Sequence, residues 1–145
     1  MPRGYPDYFG QSIFPKYGKT RLKTQDDDTV TNNATETVLT ITGKGRIFGG
    51  WIKCLVETAS NNFWVKLYID DNIISSDQPA LHRFRGIIPG VNAVVVITEY
   101  NSVSGIYTFT IGNELTFESS FRIDIYNLTG DNIYIDSDIY YTLVE

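Results

Sequence analysis

From residue 37 onward, apolar and polar positions alternate with a period of two. That is the pattern of strands that bury one face. Residues 63–69 are the clearest case: Phe63, Val65, Leu67 and Ile69 share one face, and Trp64, Lys66 and Tyr68 the other. Residues 37–42 (TVLTIT) form a strand closed by Gly43-Lys44-Gly45. Over residues 46–56, Phe48, Ile52, Cys54 and Val56 oppose Trp51, Lys53 and Leu55, and Gly49-Gly50 predicts a bulge or a close backbone approach. Asp70-Asp71-Asn72 is hairpin-turn chemistry, and residues 73–75 return. Further strands are predicted over 94–100, 105–111 and 121–126, and residues 115–117 form either a short strand of their own or the start of the next. Over residues 121–126, Phe121, Ile123 and Ile125 oppose Arg122, Asp124 and Tyr126. A closing strand over 133–144 sets Ile139, Tyr141 and Leu143 against Tyr140, Thr142 and Val144.

The count is roughly eight or nine strands, with turn signals about every ten residues and no amphipathic helix. The fold class is all-β, and the economical architecture is a two-sheet antiparallel β-sandwich, jelly-roll-like. An immunoglobulin-like sandwich is the runner-up; its paired cysteines are missing.

Three segments break the alternation. Residues 76–93 carry Pro79, Gly86, Pro89 and Gly90 and predict a long irregular connection with one short helical turn near residues 80–84. Long loops in compact domains carry function or interfaces. This one contains His82, Arg83, Phe84 and Arg85, and arginine and aromatics dominate interface hot spots, so it is a candidate interface loop. Residues 19–36 are polar throughout and read as a linker. Their Asp26-Asp27-Asp28 run lacks the glycine and distal glutamate of a calcium loop and reads as a solvated acidic turn.

Residues 1–18 hold three of the five prolines, Pro2, Pro6 and Pro15, which exclude a helix interior. They also hold Tyr5, Tyr8, Phe9, Phe14 and Tyr17, and disordered tails are poor in aromatics. The segment reads as an extended arm whose aromatics dock on a neighbouring subunit. The organisation is therefore an arm over 1–18, a polar linker over 19–36 and a sandwich over 37–145. An arm that added a strand to a neighbour would also cover a sheet edge.

The net charge of -5 argues against nucleic acid or an anionic membrane as partner, because phosphate affinity comes from clustered Lys and Arg. No apolar run reaches the roughly 18 residues of a membrane span. The N-terminal residues lack the apolar core of a secretory signal. One cysteine, Cys54, allows no intrachain disulfide and reads as a buried, inert thiol. Asn33-Ala34-Thr35 and Asn127-Leu128-Thr129 match a glycosylation sequon and, without an export signal, are read as chance.

Catalytic chemistry is hard to assemble. The single histidine, His82, sits in no triad context, and one His with one Cys cannot build a zinc site. Glu57, Glu99, Glu114, Glu118, Asp124, Asp136 and Asp138 are available for two-carboxylate hydrolysis, but nothing sets any pair at a defined separation. No phosphate or dinucleotide fingerprint occurs. The expectation is no enzyme, no cofactor and no metal. Trp51 and Trp64 are candidates for stacking sugars; the competing reading is cross-strand aromatic pairing on the outer faces.

Three stretches resemble small virion structural proteins of tailed phages and other viruses. PRGYPDYFGQSIFPKYG resembles their N-terminal segments, FWVKLYIDDNII their strand, Asp-rich hairpin and strand, and SFRIDIYNLTGDNIYIDSDIYYTLV their closing strand pair. The resemblance implies a capsid decoration (cement), minor capsid, or tail and fibre protein located in the virion. It implies a homo-oligomer, a trimer favoured, or association with other virion proteins such as a major capsid protein. It implies no catalytic residues. The alternative is a carbohydrate- or receptor-binding module of a tail or fibre.

Overall fold

The computed structural model describes residues 17–79 and 94–145, apart from the Asp27 side chain. These residues form ten strands: β1 Arg21–Val30, β2 Thr35–Thr42, β3 Gly45–Val56, β4 Phe63–Ile69, β5 Asn72–Asp77, β6 Val95–Asn101, β7 Ile106–Ile111, β8 Leu115–Phe117, β9 Ser120–Asn127 and β10 Ile133–Leu143. They make two antiparallel sheets. The larger runs β1-β10-β3-β7-β6, with β8 also paired to β3; the smaller runs β2-β9-β4-β5. The pairs nest: β1 with β10, β2 with β9, β3 with β7 and β8, β4 with β5. One long hairpin is rolled so that successive pairs fall in alternate sheets, which is jelly-roll winding.

The core lies between the sheets and follows the alternation. Phe63, Val65 and Leu67 of β4 and Phe121, Ile123 and Ile125 of β9 face Ile52, Cys54 and Val56 of β3 and Ile133, Ile135 and Ile139 of β10, all fully buried. Each such side chain stabilises the fold by about 1.5–3 kcal/mol relative to exposure. Phe63 ties the layers together: its ring lies 5.7 Å from Tyr107 and 6.2 Å from Phe109 on β7. The β4–β5 hairpin turns on Asp70 and Asp71, both left-handed (φ 52 and 63), the two-residue turn whose twist matches paired strands.

Three expectations need correction. The polar stretch over 19–36 is not a linker. It holds β1 and the start of β2, so the sandwich begins at residue 21 rather than 37. Arg21 to Thr24 are all exposed, and β1 is held by its backbone ladder to β10; only Val30 reaches the core. An edge strand held by hydrogen bonds needs no apolar alternation. The same strand, together with a separate β8, raises the count to ten among the described residues. Phe48 does not share the core face of Ile52. It is the extra residue of a bulge opposite Tyr140 and Tyr141, and it turns outward, 39% exposed. Gly50 beside it has φ 156, and a Cβ there would meet Asp138 O at 2.4 Å.

The strands that end each sheet order carry a register shift: β1 between Gln25 and Asp28, β2 between Thr37 and Leu39, β5 opposite Leu67 and Tyr68, and β6 between Ile97 and Glu99. Arg21 and Lys23 of β1 also stand opposite the inward residues Tyr141 and Ile139. Bulges and inward-register charges spoil an edge as a template for further strands. The edges of β1, β2, β5 and β6 are therefore poor templates for a further strand.

Candidate interaction surfaces

The arm is rooted on its own domain. Tyr17 pairs antiparallel with Val144, and Gly18 N–H donates to Leu143 O at 2.7 Å. The Arg46 guanidinium lies 4.6 Å from the Tyr17 ring centroid and 4.7 Å from that of Phe48, while Nη1 donates to Glu114 Oε1 at 2.9 Å. Cation–π contacts at such partly exposed sites contribute about 0.5–1 kcal/mol each. Tyr17 is therefore a contact within the chain at the base of the arm. The other predicted arm residues, Tyr5, Tyr8, Phe9 and Phe14, lie outside the described residues, as do His82, Arg83, Phe84 and Arg85 of the predicted interface loop.

The outer face of the six-stranded sheet concentrates exposed apolar groups. Among the described residues six large hydrophobics are exposed, and four of them, Leu22, Phe48, Leu55 and Tyr140, stand on β1, β3 and β10 of this face. They fall at its two ends. Leu22 stands opposite Tyr140, and Tyr140 opposite Gly49, next to Phe48. At the far end Leu55 stands opposite both Tyr134 and Ile106, and with Lys53 and Asp136 these line a cavity of about 210 Å3. A hydrogen bond to Glu57 holds the Tyr134 phenol above its usual pKa. Between the ends lies Trp51, half-buried and opposite Asp138 and Thr110; Thr24 Oγ1 donates to Asp138 Oδ1 at 2.8 Å.

The outer face of the four-stranded sheet is different: Ile73 on β5 is exposed, but the groups on β4 and β9 satisfy one another. Trp64 stacks on Tyr126 across β4 and β9, centroids 6.0 Å apart and planes at 28°. Lys66 Nζ lies 5.2 Å from the Tyr126 centroid. Arg122 lies 4.1 Å from the Tyr68 centroid and donates to Asp124 at 3.1 Å and Asp71 at 2.8 Å. Burial works against the Arg122 cation, but Asp124 and Asp71 outweigh it and hold its pKa above the usual value. Asp124 also accepts from Thr37 Oγ1 at 2.7 Å. Trp51 and Trp64 thus lie on opposite outer faces and do not form one stacking platform.

Other candidates resolve as structural. Cys54 is fully buried, and burial pushes its thiol pKa up, away from the reactive thiolate. Among the described residues no three His, Cys, Asp or Glu side chains gather to hold a metal ion. Asn127 of the second sequon is fully buried; its Nδ2 donates to Val30 O (2.8 Å) and Asp131 O (2.7 Å), so both amide hydrogens are committed. Asp70 accepts backbone N–H groups of Ser119 (2.7 Å), Glu118 (3.0 Å) and Ser120 (3.0 Å), which lower its pKa to about 2. That clamp ties the β4–β5 hairpin to the β8–β9 turn.

Sequence reasoning missed Leu22 and Phe48. Leu22 sits alone in a polar run, and the bulge that turns Phe48 outward is signalled only by Gly49-Gly50. No protein-family model and no curated protein matches this chain. Among solved structures it is similar to the infectious bursal disease virus Gx strain structure, with 14% identity and a TM-score of 0.45 over 88% of this chain and 33% of that one. It is also similar to the infectious bursal disease virus VP2 subviral particle, with 10% identity and a TM-score of 0.29 over 88% of this chain and 42% of that one. The chain spans about a third of the length of the first and about two fifths of the second.

Proposed function

We propose that this chain is a virion structural protein, of the capsid decoration or minor capsid kind, that assembles with neighbouring copies through its N-terminal arm. The role is structural rather than catalytic. The observation that carries this reading is the rooted arm. Tyr17 and Gly18 are fixed to the end of β10 by a backbone bridge and by Arg46. An arm leaving from a fixed point loses less freedom on docking than a free tail. Tyr5, Tyr8, Phe9 and Phe14 upstream are the residue types that anchor interfaces. The jelly roll closes its own core from β1 to β10, and jelly rolls serve both viral capsids and lectins. The resemblance of the arm, the Asp-rich hairpin and the closing strands to small phage structural proteins favours the first.

The test compares the full chain with a chain lacking residues 1–16, by light scattering at matched concentrations with circular dichroism as the fold control. The full chain is expected as a multimer, a trimer favoured, and the shortened chain as a folded monomer. An unchanged multimer after truncation removes the arm from the account. The Trp64–Tyr126 pair supports a second reading, a carbohydrate- or receptor-binding module. Saturable glycan binding, lost in Trp64→Ala with the fold intact, would replace the first reading with this one.

A further inference from the structure

We propose that the arm of a second copy of this chain lies along the outer face of the six-stranded sheet, its aromatic side chains seated at the two apolar ends of that face. This rests on the assembly reading above and names the surface that receives the arm.

The first argument is spacing. The two apolar ends are marked on β10 by Tyr134 and Tyr140, with Leu55 and Ile106 beside the first and Leu22 and Phe48 beside the second. Six residues of strand separate them, about 20 Å at roughly 3.3 Å per residue. In the arm, Tyr8 and Phe14 are also six residues apart, and Pro6 and Pro15 favour extended backbone around them. An even separation puts both aromatics on one side of an extended segment. The residues between them on that side are Gly10 and Ser12. Two large side chains flanking two small ones match a face whose exposed apolar groups lie at its two ends, with Trp51 between them.

The second argument is direction. From Arg21 to Tyr17 the chain runs from the level of Tyr141 to that of Val144, away from both Tyr140 and Tyr134. Covering its own face needs a reversal, whereas a neighbour's face needs none. The bulged edge strands turn the arm toward a face rather than an edge.

The test uses the full chain with a photo-crosslinking phenylalanine analogue at position 14, mixed with 15N-labelled unmodified chain and read by mass spectrometry. The expected links join position 14 of one chain to Leu22, Phe48 and Tyr140, or to Leu55, Ile106 and Tyr134, of the labelled chain. Links within one chain only, links to the four-stranded sheet, or no links between chains while association persists all overturn the proposal. In parallel, the full-length L22E/Y140E variant should associate more weakly by about tenfold or more, with an unchanged circular dichroism spectrum. If association depends on residues 1–16 but L22E/Y140E keeps it, this docking face is wrong and arm-mediated assembly stands. If the full chain is monomeric at every concentration, both fall.

Discussion

Asn127→Ala should be among the most damaging single polar substitutions in this domain. Asn127 is fully buried and uses its whole amide. Nδ2 donates to Val30 O at 2.8 Å and Asp131 O at 2.7 Å, while Oδ1 accepts from Thr129 N at 2.9 Å and Thr129 Oγ1 at 2.7 Å. The residue thereby joins the end of β1 to the turn between β9 and β10. Its backbone adds two bonds to the turn before β2: N–H to Ala34 O, and C=O from Asn33 N–H. Alanine keeps those backbone bonds and deletes the side-chain four. Asp131 O keeps a donor in Thr129 Oγ1, so the heaviest losses fall on Val30 O and Thr129 N. A buried group left without its partner costs about 1–3 kcal/mol. Two such groups and a small cavity sum to about 3–5 kcal/mol. At about 3 °C per kcal/mol for a domain of this size, the melting temperature should fall by roughly 10–15 °C. Thermal and urea denaturation, followed by circular dichroism at one fixed protein concentration because association shifts apparent stability, checks this. A loss below about 1 kcal/mol, the scale of a surface substitution, would refute the reasoning.

The remaining predictions are briefer. Asp70 has its pKa lowered from 3.8 to about 2 by backbone N–H groups, so its contribution to stability is complete above about pH 4 and fades as the pH falls toward 2. Asp70→Asn should remove that part of the acid dependence in urea titrations at pH 2–5; an unchanged pH profile would refute it. Gly105 has φ 71, and a Cβ would meet Val56 O at 2.0 Å, so Gly105→Ala should lower stability by at least about 2 kcal/mol. Gly130→Ala, with φ 91 and nothing within 4 Å, should cost only about 1 kcal/mol; equal costs in paired melts would contradict the close-approach account. Cys54 should resist a thiol-reactive probe in the native protein and react on unfolding; rapid native labelling would show that the core opens.

The inner faces of the sandwich were legible because burial forces the period-two pattern. Phe63, Val65 and Leu67 read as core from their spacing alone, and all are fully buried. The turn at Asp70-Asp71 was legible because few residues accept left-handed backbone. β1 was not legible. Its side chains are mostly solvated, so its partner β10, more than a hundred residues away, decides that it is a strand. The surfaces were legible only in part. Trp64 and Tyr126 alternate outward as expected, but their neighbours fix them in a satisfied cross-strand pair. One apolar end of the larger face joins Leu22, Phe48 and Tyr140 from three strands distant in sequence, and a single bulge turns Phe48 outward. No local pattern encodes that juxtaposition.

The most direct test of the account is the mass of the particle in solution. Light scattering on the full chain and on the chain lacking residues 1–16, at the same concentrations, isolates the arm. The account predicts a multimer that becomes a folded monomer, with the circular dichroism of the jelly roll retained because β1 to β10 remain. A full chain that is already monomeric, or a shortened chain that keeps the full multimer, would contradict it.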